Sequence, residues 1–326
     1  MPTSPAEQLV KYLADAHSIE EQALTQLRRA PDLAGDPGLR RAYEEHLGET
    51  ERHERLVRER LEAHGADPSR VKDAAGKAGG WGMVLFARSQ PDTPGKLAAH
   101  AFSYEHMELA TYELLHRVAL AAGDAETAEV AAAIAAEERR MGERLAAGFD
   151  PAVEASLRDV AAEDLDDHLD HYLADAHAIE QQSLQLLEAG PRLVDDEELA
   201  GLFGAHLKET RMHSGRLAAR LTARGTRPSR LKDAALRLGA LNLGGFFGVQ
   251  PDTTAKLAGF AYAFENLEIA AYELLRRVAQ RAGDEETVRL AEEILAEERA
   301  AAQDLVASWD TTMRRETAKR ASGTPL

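Results

Sequence analysis

Apolar residues recur along the first 150 residues at the three- and four-residue spacing of helices that bury one face. Each of the four stripes begins at a residue that caps or starts a helix; the starts are Ser4-Pro5, Asp36-Pro37, Thr93-Pro94 and Asp124. Each stripe ends at a proline or a glycine; the stops are Pro31, Gly65, Gly123 and Gly148. The pattern predicts four long helices, the first of which runs to about Arg29.

A longer piece, residues 66–91, separates the second and third predicted helices. It contains a predicted short helix at Pro68–Lys77 and a glycine-rich apolar stretch at Gly79–Phe86. Four long helices with one long crossover are typical of a ferritin-like bundle rather than of an up-and-down bundle. We expect the apolar crossover side chains to pack over one end of the core, or else at an interface between bundles; they are Trp81, Met83, Leu85, Phe86, Phe246 and Phe247.

The same pattern occurs a second time, 160 residues later and without an insertion; His17, for example, corresponds to His177. A repeat of this length indicates a duplicated domain, because solenoid repeats span only about 20–50 residues. The sequence therefore predicts an all-α protein of two tandem ferritin-like four-helix bundles, each with a long crossover that contains a short helix. The expected segments are bundle one at 1–150, a linker at 151–163, bundle two at 164–312 and a disordered basic tail at 313–326.

Acidic residues and histidines interrupt each apolar stripe near the middle of its helix. In helix two the predicted core face carries His46, Glu49 and His53. In helix four it carries Glu137, whereas Glu138 is expected to point off that face. When the helices assemble, the interruptions meet in one layer of the core. A buried carboxylate without a partner is costly, so these groups must be paired, protonated or bound to metal.

Metal ions are the counterions that this layer predicts, because no lysine or arginine lies at its level in the first copy. Carboxylate and imidazole ligands without thiolate suit iron or manganese, and zinc also fits. We therefore predict a di-metal centre in each bundle. The predicted ligands are Glu20, Glu49, His53, Glu105, Glu108 and Glu137 in the first copy, and Glu180, Glu209, His213, Glu265, Glu268 and Glu297 in the second. Additional ligands or neighbours of the ligands are expected among His17, His46, Glu138, His177, His206 and Glu298.

Two tyrosines complete the predicted site. Tyr112 and Tyr272 each follow an acid, Glu108 and Glu268, by one helical turn. We predict that they are catalytic, either as hydrogen-bond donors to the ligands or as redox-active groups.

Composition narrows the classes of function. A net charge of −17 argues against a nucleic-acid binder, which needs clustered basic residues. The chain has no cysteine, which excludes disulfides and cysteine nucleophiles. No apolar run approaches the ~20 residues that cross a bilayer, and no secretion signal is visible, so we expect a cytoplasmic protein without a membrane partner.

These residues together resemble the YciE/YciF-like branch of ferritin-like proteins. The resemblance covers the four helices of both copies and is carried in the first copy by Asp15–Gln22, His46–Thr50, Glu105–Tyr112 and Glu137-Glu138. It implies a di-metal bundle, usually a single domain that forms dimers and is often linked to stress responses. The tandem would then be a dimer made within one chain. His17 and His177 depart from the branch, which usually carries tyrosine there, and the Glu-x-x-His spacing of ferritins that store iron is missing.

Three functions remain open at this point. The first is an oxidoreductase whose metal pair reacts with oxygen or peroxide. The second is metal binding or sequestration without turnover, as protection against oxidant or metal stress. The third is a scaffold, metal-free or with only structural metal, whose acidic surface docks a partner.

Overall fold

The structure, a computed structural model, describes residues 4–66, 93–226 and 253–321. These residues form helices and turns, with no strand among them, and most of them fall into two compact units, one up to Arg158 and one at Asp159–Glu316. The predicted all-α class with two tandem bundles is confirmed. The predicted crossover helices and apolar crossover side chains, within 67–92 and 227–252, lie outside the described residues.

The helices of the first unit are α1 (Pro5–Leu27), α2 (Ala30–Leu33), α3 (Pro37–Ala63), α4 (Thr93–Ala122), α5 (Ala125–Ala147) and α6 (Phe149–Leu157). Helix α1 packs against α3 and α4, and α5 packs against the same two helices, so four long helices enclose one core. The first helix is shorter than predicted. It ends at Leu27, and Pro31 lies in the first turn of the separate α2, where a missing N–H group costs no hydrogen bond.

Side chains at the helix starts act as the sequence predicts. The Ser4 hydroxyl accepts a hydrogen bond from the Glu7 backbone N–H, and the Glu7 carboxylate accepts one from the Ser4 backbone N–H. Asp36 accepts hydrogen bonds from two N–H groups at the start of α3, and Asp124 accepts one from Thr127 at the start of α5. These caps set where each long helix begins, and therefore which residues lie at its middle.

The predicted linker is shorter than expected, because its first part is the helix α6 of the first unit. The side chains of Phe149, Ala152 and Val153 are buried there, and the Phe149 ring lies 5.4 Å from that of Phe102. The break before α6 falls at Gly148, where a Cβ atom would lie only 2.5 Å from a methyl carbon of Leu39.

The helices of the second unit are α7 (Leu165–Leu193), α8 (Glu197–Ala223), α9 (Thr253–Ala282) and α10 (Glu285–Ala321), preceded by a short 3-10 turn (Ala162–Asp164). Here α10 runs on where α5 and α6 are separate helices, since Ser308 and Thr311 replace Gly148 and Pro151. The predicted disordered tail is therefore helical as far as Ala321. Met313 is buried, and Arg315 lies 2.5 Å from Asp196.

Candidate metal centre

A layer of buried acids and histidines crosses the core of the first unit at half the length of its helices. Each long helix supplies part of it: Glu20 from α1, His46 and His53 from α3, Glu105 and Glu108 from α4, and Glu138 from α5. All six residues are at most 3% exposed. The predicted convergence of polar groups in one layer of the core is thus present.

The layer contains two groups of atoms, each with the spacing of ligands around one ion. In the first group, His46, Glu105, Glu108 and Glu138 each offer an atom within 4.8 Å of the others. The second group is Glu20, His53 and Glu138, within the same limit. Glu138 belongs to both groups: one of its oxygens lies 3.3 Å from Nε2 of His46, and the other lies 2.9 Å from Nδ1 of His53. A carboxylate placed between two such groups has the position of a bridging ligand.

Most of the converging atoms lack a hydrogen bond. Both oxygens of Glu108 and of Glu138 are buried without a hydrogen-bond partner among the described residues, as are His46 Nε2 and His53 Nδ1. Some of these atoms lie about 3 Å apart, yet their geometry does not suit a hydrogen bond. These close-lying atoms have no hydrogen bond to occupy their lone pairs, and a cation between them would do so. The buried His/Glu groups could therefore hold metal ions.

The pKa values of the layer reflect its burial. Burial raises the pKa of Glu20 to about 8 and that of Glu105 to about 7, and it raises the pKa of Glu108 well above its ordinary value. Burial also works to raise the pKa of Glu138, but the nearby imidazoles of His46 and His53 outweigh it and lower that pKa. Without a cation the layer consequently keeps protons on several acids, and a bound cation would have to displace them.

The two histidines have raised pKa values for a related reason. Burial alone would lower the pKa of His46 and of His53, because it disfavours the charged imidazolium. The carboxylates around each ring, Glu105 foremost at His46 and Glu138 foremost at His53, outweigh burial and raise both pKa values. In the metal-free layer these carboxylates therefore favour the charged form of both imidazoles, which lie 3.3 and 2.9 Å from Glu138.

Two further glutamates hold the outer sides of the imidazole rings. Nδ1 of His46 lies 2.9 Å from Glu49, and Nε2 of His53 lies 2.7 Å from Glu137. Carboxylates commonly fix metal-binding imidazoles in this way, through the ring nitrogen that does not bind the ion. Glu49 and Glu137 are 21% and 22% exposed at their side chains and contact arginines, with Glu137 held by Arg52.

The structure thus divides the predicted ligands. Glu20, His53, Glu105 and Glu108 converge as expected, whereas Glu49 and Glu137 lie outside the groups, and His46 and Glu138 take their places. The cause is the rotation of two helices. The buried face of α3 contains Leu39, Tyr43, His46, Thr50 and His53, one position away from the predicted Ala42 and Glu49, and α5 buries the second of its adjacent acids rather than the first.

Tyr112 lies where the sequence places it, one turn from Glu108, and is fully buried. Its hydroxyl donates a hydrogen bond to Oε1 of Glu20. His17 lies outside the two groups, since its Nε2 atom is 3.1 Å from Glu54, and with Glu21 these residues form a separate group on α1 and α3. The second copy has no such acids, because Gln181 and Ser214 replace Glu21 and Glu54.

The second unit repeats the centre. Its two groups are His206, Glu265, Glu268 and Glu298, and Glu180, His213 and Glu298. Glu298 lies 3.2 Å from His206 and 2.8 Å from His213, so it again belongs to both groups. The outer carboxylates Glu209 and Glu297 contact the opposite ring nitrogens at 3.1 and 2.7 Å.

Small differences separate this second centre from the first. Tyr272 donates to Glu180 as Tyr112 does to Glu20, and His177 lies beside Ser214 rather than an acid. Burial raises the pKa of Glu265 to about 8. Glu268 has a hydrogen bond that Glu108 lacks, a 3.3 Å contact from the Ser183 hydroxyl.

Two tyrosines beside the first centre are not among the residues that the sequence predicts for the site. Tyr43 lies one turn before His46 on the buried face of α3, and Tyr104 precedes Glu105 and donates a 2.9 Å hydrogen bond to the Ile19 carbonyl. The position of Tyr43 can be derived from the sequence, because residues three apart on a helix share a face and Tyr43 precedes His46 by three.

Among the described residues, no helix has the length and apolar character needed to cross a membrane. A comparison with known protein families matches residues 4–158 and 164–318 separately to one and the same family, described as a domain of unknown function, DUF892. These matches coincide with the two structural units and cover most of the chain. The chain therefore belongs to the DUF892 family, which is of ferritin-like type, and contains two tandem copies of its domain.

Proposed function

We propose that each bundle binds a pair of divalent metal ions in the polar layer of its core. The observation that carries this proposal is the position of Glu138, and of Glu298 in the second copy, between two groups of ligand atoms. In bundle one the proposed ligands of the two ions are His46, Glu105, Glu108, Glu20 and His53, with Glu138 shared. With neutral imidazoles, the four carboxylates of this set would balance the charge of two divalent cations.

The donor set favours iron or manganese. Carboxylate oxygens and imidazole nitrogens without a thiolate suit either metal, and zinc is a competing occupant of purified protein. Outer carboxylates on the second nitrogen of each imidazole also support a metal site, because they orient the ring and raise its basicity.

We further propose that the protein is an oxidoreductase, or a protective protein, that deals with oxygen or peroxide. A redox-active metal pair would supply the electrons for that reaction. The protein's own part is to exclude water from the layer and to orient Glu20 through the hydroxyl proton of Tyr112, which is held at Oε1 of that acid. Tyr272 does the same for Glu180. Membership of the YciE/YciF-like branch, with its link to stress responses, is part of this proposal.

The metal content of the purified protein tests whether the two bundles bind metal ions. The protein would be expressed with iron or manganese and assayed by mass spectrometry, alongside Glu138→Gln, Glu298→Gln and the double variant. We expect about four ions per chain in the natural protein, about two in each single variant and almost none in the double variant. Glu143→Gln changes an exposed acid of the same helix α5 and should keep full loading. Full loading of the double variant would refute the proposed centre.

Whether the protein turns over oxygen or peroxide is tested separately, on metal-loaded protein. After anaerobic ferrous loading, oxygen and peroxide consumption would be measured with the Tyr112→Phe/Tyr272→Phe variant as a comparison. A loaded protein that consumes neither oxidant would leave metal sequestration as the function and exclude the oxidoreductase.

A metal-free scaffold is the second candidate. One observation favours it: Glu138 is already paired with two imidazoles whose pKa values are raised, so the layer has a partial charge balance of its own. On this alternative, protein purified from metal-rich cells stays metal-free and its melting temperature does not change when ions are added. A metal-dependent rise in melting temperature would exclude it.

A further inference from the structure

The first bundle contains a small cavity that ends at the proposed metal centre. Its volume is about 30 Å³, and Glu105 forms part of its wall. The other walls are apolar groups of α1, α2 and α4, together with four polar side chains; these are Gln26, Tyr43, His100 and Tyr104. A volume of this size holds one or two non-hydrogen atoms beyond the protein, because a single water needs about 10–15 Å³ on the same measure.

Tyr43, one of the residues that line the cavity, has a hydroxyl without a hydrogen-bond partner among the described residues. This tyrosine is fully buried. A buried hydroxyl of this kind is costly unless something in the cavity bonds to it. Tyr104 differs, because its proton is donated to the Ile19 carbonyl, which leaves its oxygen as an acceptor.

The second bundle has lost these polar groups. At the positions equivalent to Gln26, Tyr43, His100 and Tyr104 it carries Leu186, Phe203, Phe260 and Phe264, while Glu265 keeps the place of Glu105. The Phe203 ring also packs directly on Gly190, where a Cβ atom would lie 2.7 Å from a ring carbon. In the first bundle the equivalent residue is Ala30, which lines the cavity instead.

We propose that bundle one, and not bundle two, carries a docking site for a small uncharged molecule with a hydroxyl group, of the size of hydrogen peroxide. Tyr43 donates a hydrogen bond to it, and the Tyr104 oxygen and the Glu105 carboxyl complete its contacts. An anion is disfavoured by the four buried carboxylates nearby. A cation is disfavoured as well, because Glu105 is the single carboxylate in the wall and already lies 3.0 Å from His46.

The docking site rests on the proposed function only for the role of the docked molecule. If the metal pair is present, the docked molecule lies beside a ligand of that pair and is the oxidant. Docking itself depends on the cavity and not on the metal, so it can be tested on metal-free protein.

The test uses tyrosine ring signals in nuclear magnetic resonance spectra of metal-free protein labelled with ¹³C-tyrosine. Hydrogen peroxide and methanol, each with two non-hydrogen atoms, are the probes. We expect saturable shifts at Tyr43 and Tyr104, and none at Tyr272 in the second bundle. Shifts that grow linearly without saturation, or equally at Tyr272, would overturn the proposal, because they would report solvent change or water alone.

Variants separate the hydroxyl from general effects on packing. Tyr43→Phe should weaken the binding seen at Tyr104 roughly 2- to 10-fold, the range for loss of one neutral hydrogen bond. Tyr12→Phe removes a different buried hydroxyl of the same bundle and should leave that binding unchanged. Unchanged binding in Tyr43→Phe would overturn the assignment of the donor.

The two proposals fail in different ways. Saturable tyrosine shifts in a protein that never binds metal would leave the docking site and remove the metal centre. Full metal loading without tyrosine shifts would do the reverse.

Discussion

One carboxylate oxygen of Glu138 lies 2.9 Å from Nδ1 of His53, on the buried side of the imidazole ring. The preceding acid, Glu137, contacts the opposite nitrogen of the same ring from the partly exposed side. Two consecutive glutamates therefore have different surroundings, one in the dry layer and one at its edge. The proposed roles of ligand and orienting group follow from that difference.

Removing a buried acid without partners should stabilise the metal-free protein. Glu108 has no hydrogen bond to either oxygen among the described residues, so its replacement removes a desolvation cost. We expect Glu108→Leu to raise the free energy of unfolding of metal-free protein by about 1–3 kcal/mol and to remove metal from bundle one. Chemical denaturation with and without metal would measure both effects.

The second copy supplies the matched comparison. Glu268 accepts a hydrogen bond from Ser183, so Glu268→Leu should stabilise the metal-free protein less than Glu108→Leu does. If both changes destabilise the metal-free protein, the prediction that these acids are buried at a cost in the absence of metal is wrong.

Replacing the carboxylates that contact the outer ring nitrogens should change the affinity for metal more than the number of metal ions bound. Glu49→Gln and Glu137→Gln leave the proposed ligands in place but weaken the hold on the imidazole rings. We expect apparent metal affinity to fall about 10- to 100-fold, with the number of ions per chain unchanged at saturation. Competition with a chromophoric chelator would show this, and loss of half of the ions would instead indicate that these acids bind metal directly.

The stability of metal-free protein should fall as the pH rises from about 5 to 8. Burial raises the pKa of Glu20 to about 8 and that of Glu105 to about 7, so the folded state keeps protons that the unfolded chain has released above its ordinary value of 4.5. Stability decreases with pH wherever the folded state holds more protons. His46, whose pKa is raised despite its burial, acts in the same direction above its ordinary value of 6.5. The lowered pKa of Glu138 acts oppositely, but only below pH 4.5.

The affinity for metal should depend on pH in the opposite direction to the stability of the metal-free protein. Since a cation displaces protons from Glu20, Glu105 and Glu108, its apparent affinity should rise with pH through the same window. Titration with metal in weakly buffered solution should acidify it, and less so at higher pH. A constant affinity across the window would mean that the acids are already ionised without metal.

The buried tyrosine hydroxyls should contribute to both stability and orientation. Tyr112→Phe leaves the Oε1 oxygen of Glu20 without its donor, which should cost about 1–3 kcal/mol in the metal-free protein. Metal stoichiometry should be kept. Tyr12→Phe is the control for loss of a buried phenol outside the layer, and an equal cost in both variants would show that the bond to Glu20 has no special weight.

Much of the centre could be predicted because helix periodicity and duplication both appear in the sequence. Glu20, His53, Glu105 and Glu108 lie on apolar stripes, and their counterparts recur 160 residues later. Adjacent acids were harder to resolve. Glu137 and Glu138 differ by about 100° around a helix axis, and either can face the core, depending on how α5 is rotated against its neighbours.

The helical class, the caps and the level of the core at which polar residues collect follow from residues close together in the chain, and the duplication follows from the recurrence of the same residues 160 positions later. Tertiary packing determines which acids converge in the buried groups and which contact the outer ring nitrogens, where the first unit ends, and that the tail continues α10. Those outcomes depend on helix rotation and on contacts between distant segments, such as Leu39 against Gly148 and Arg315 against Asp196. Local periodicity carries no information about such contacts.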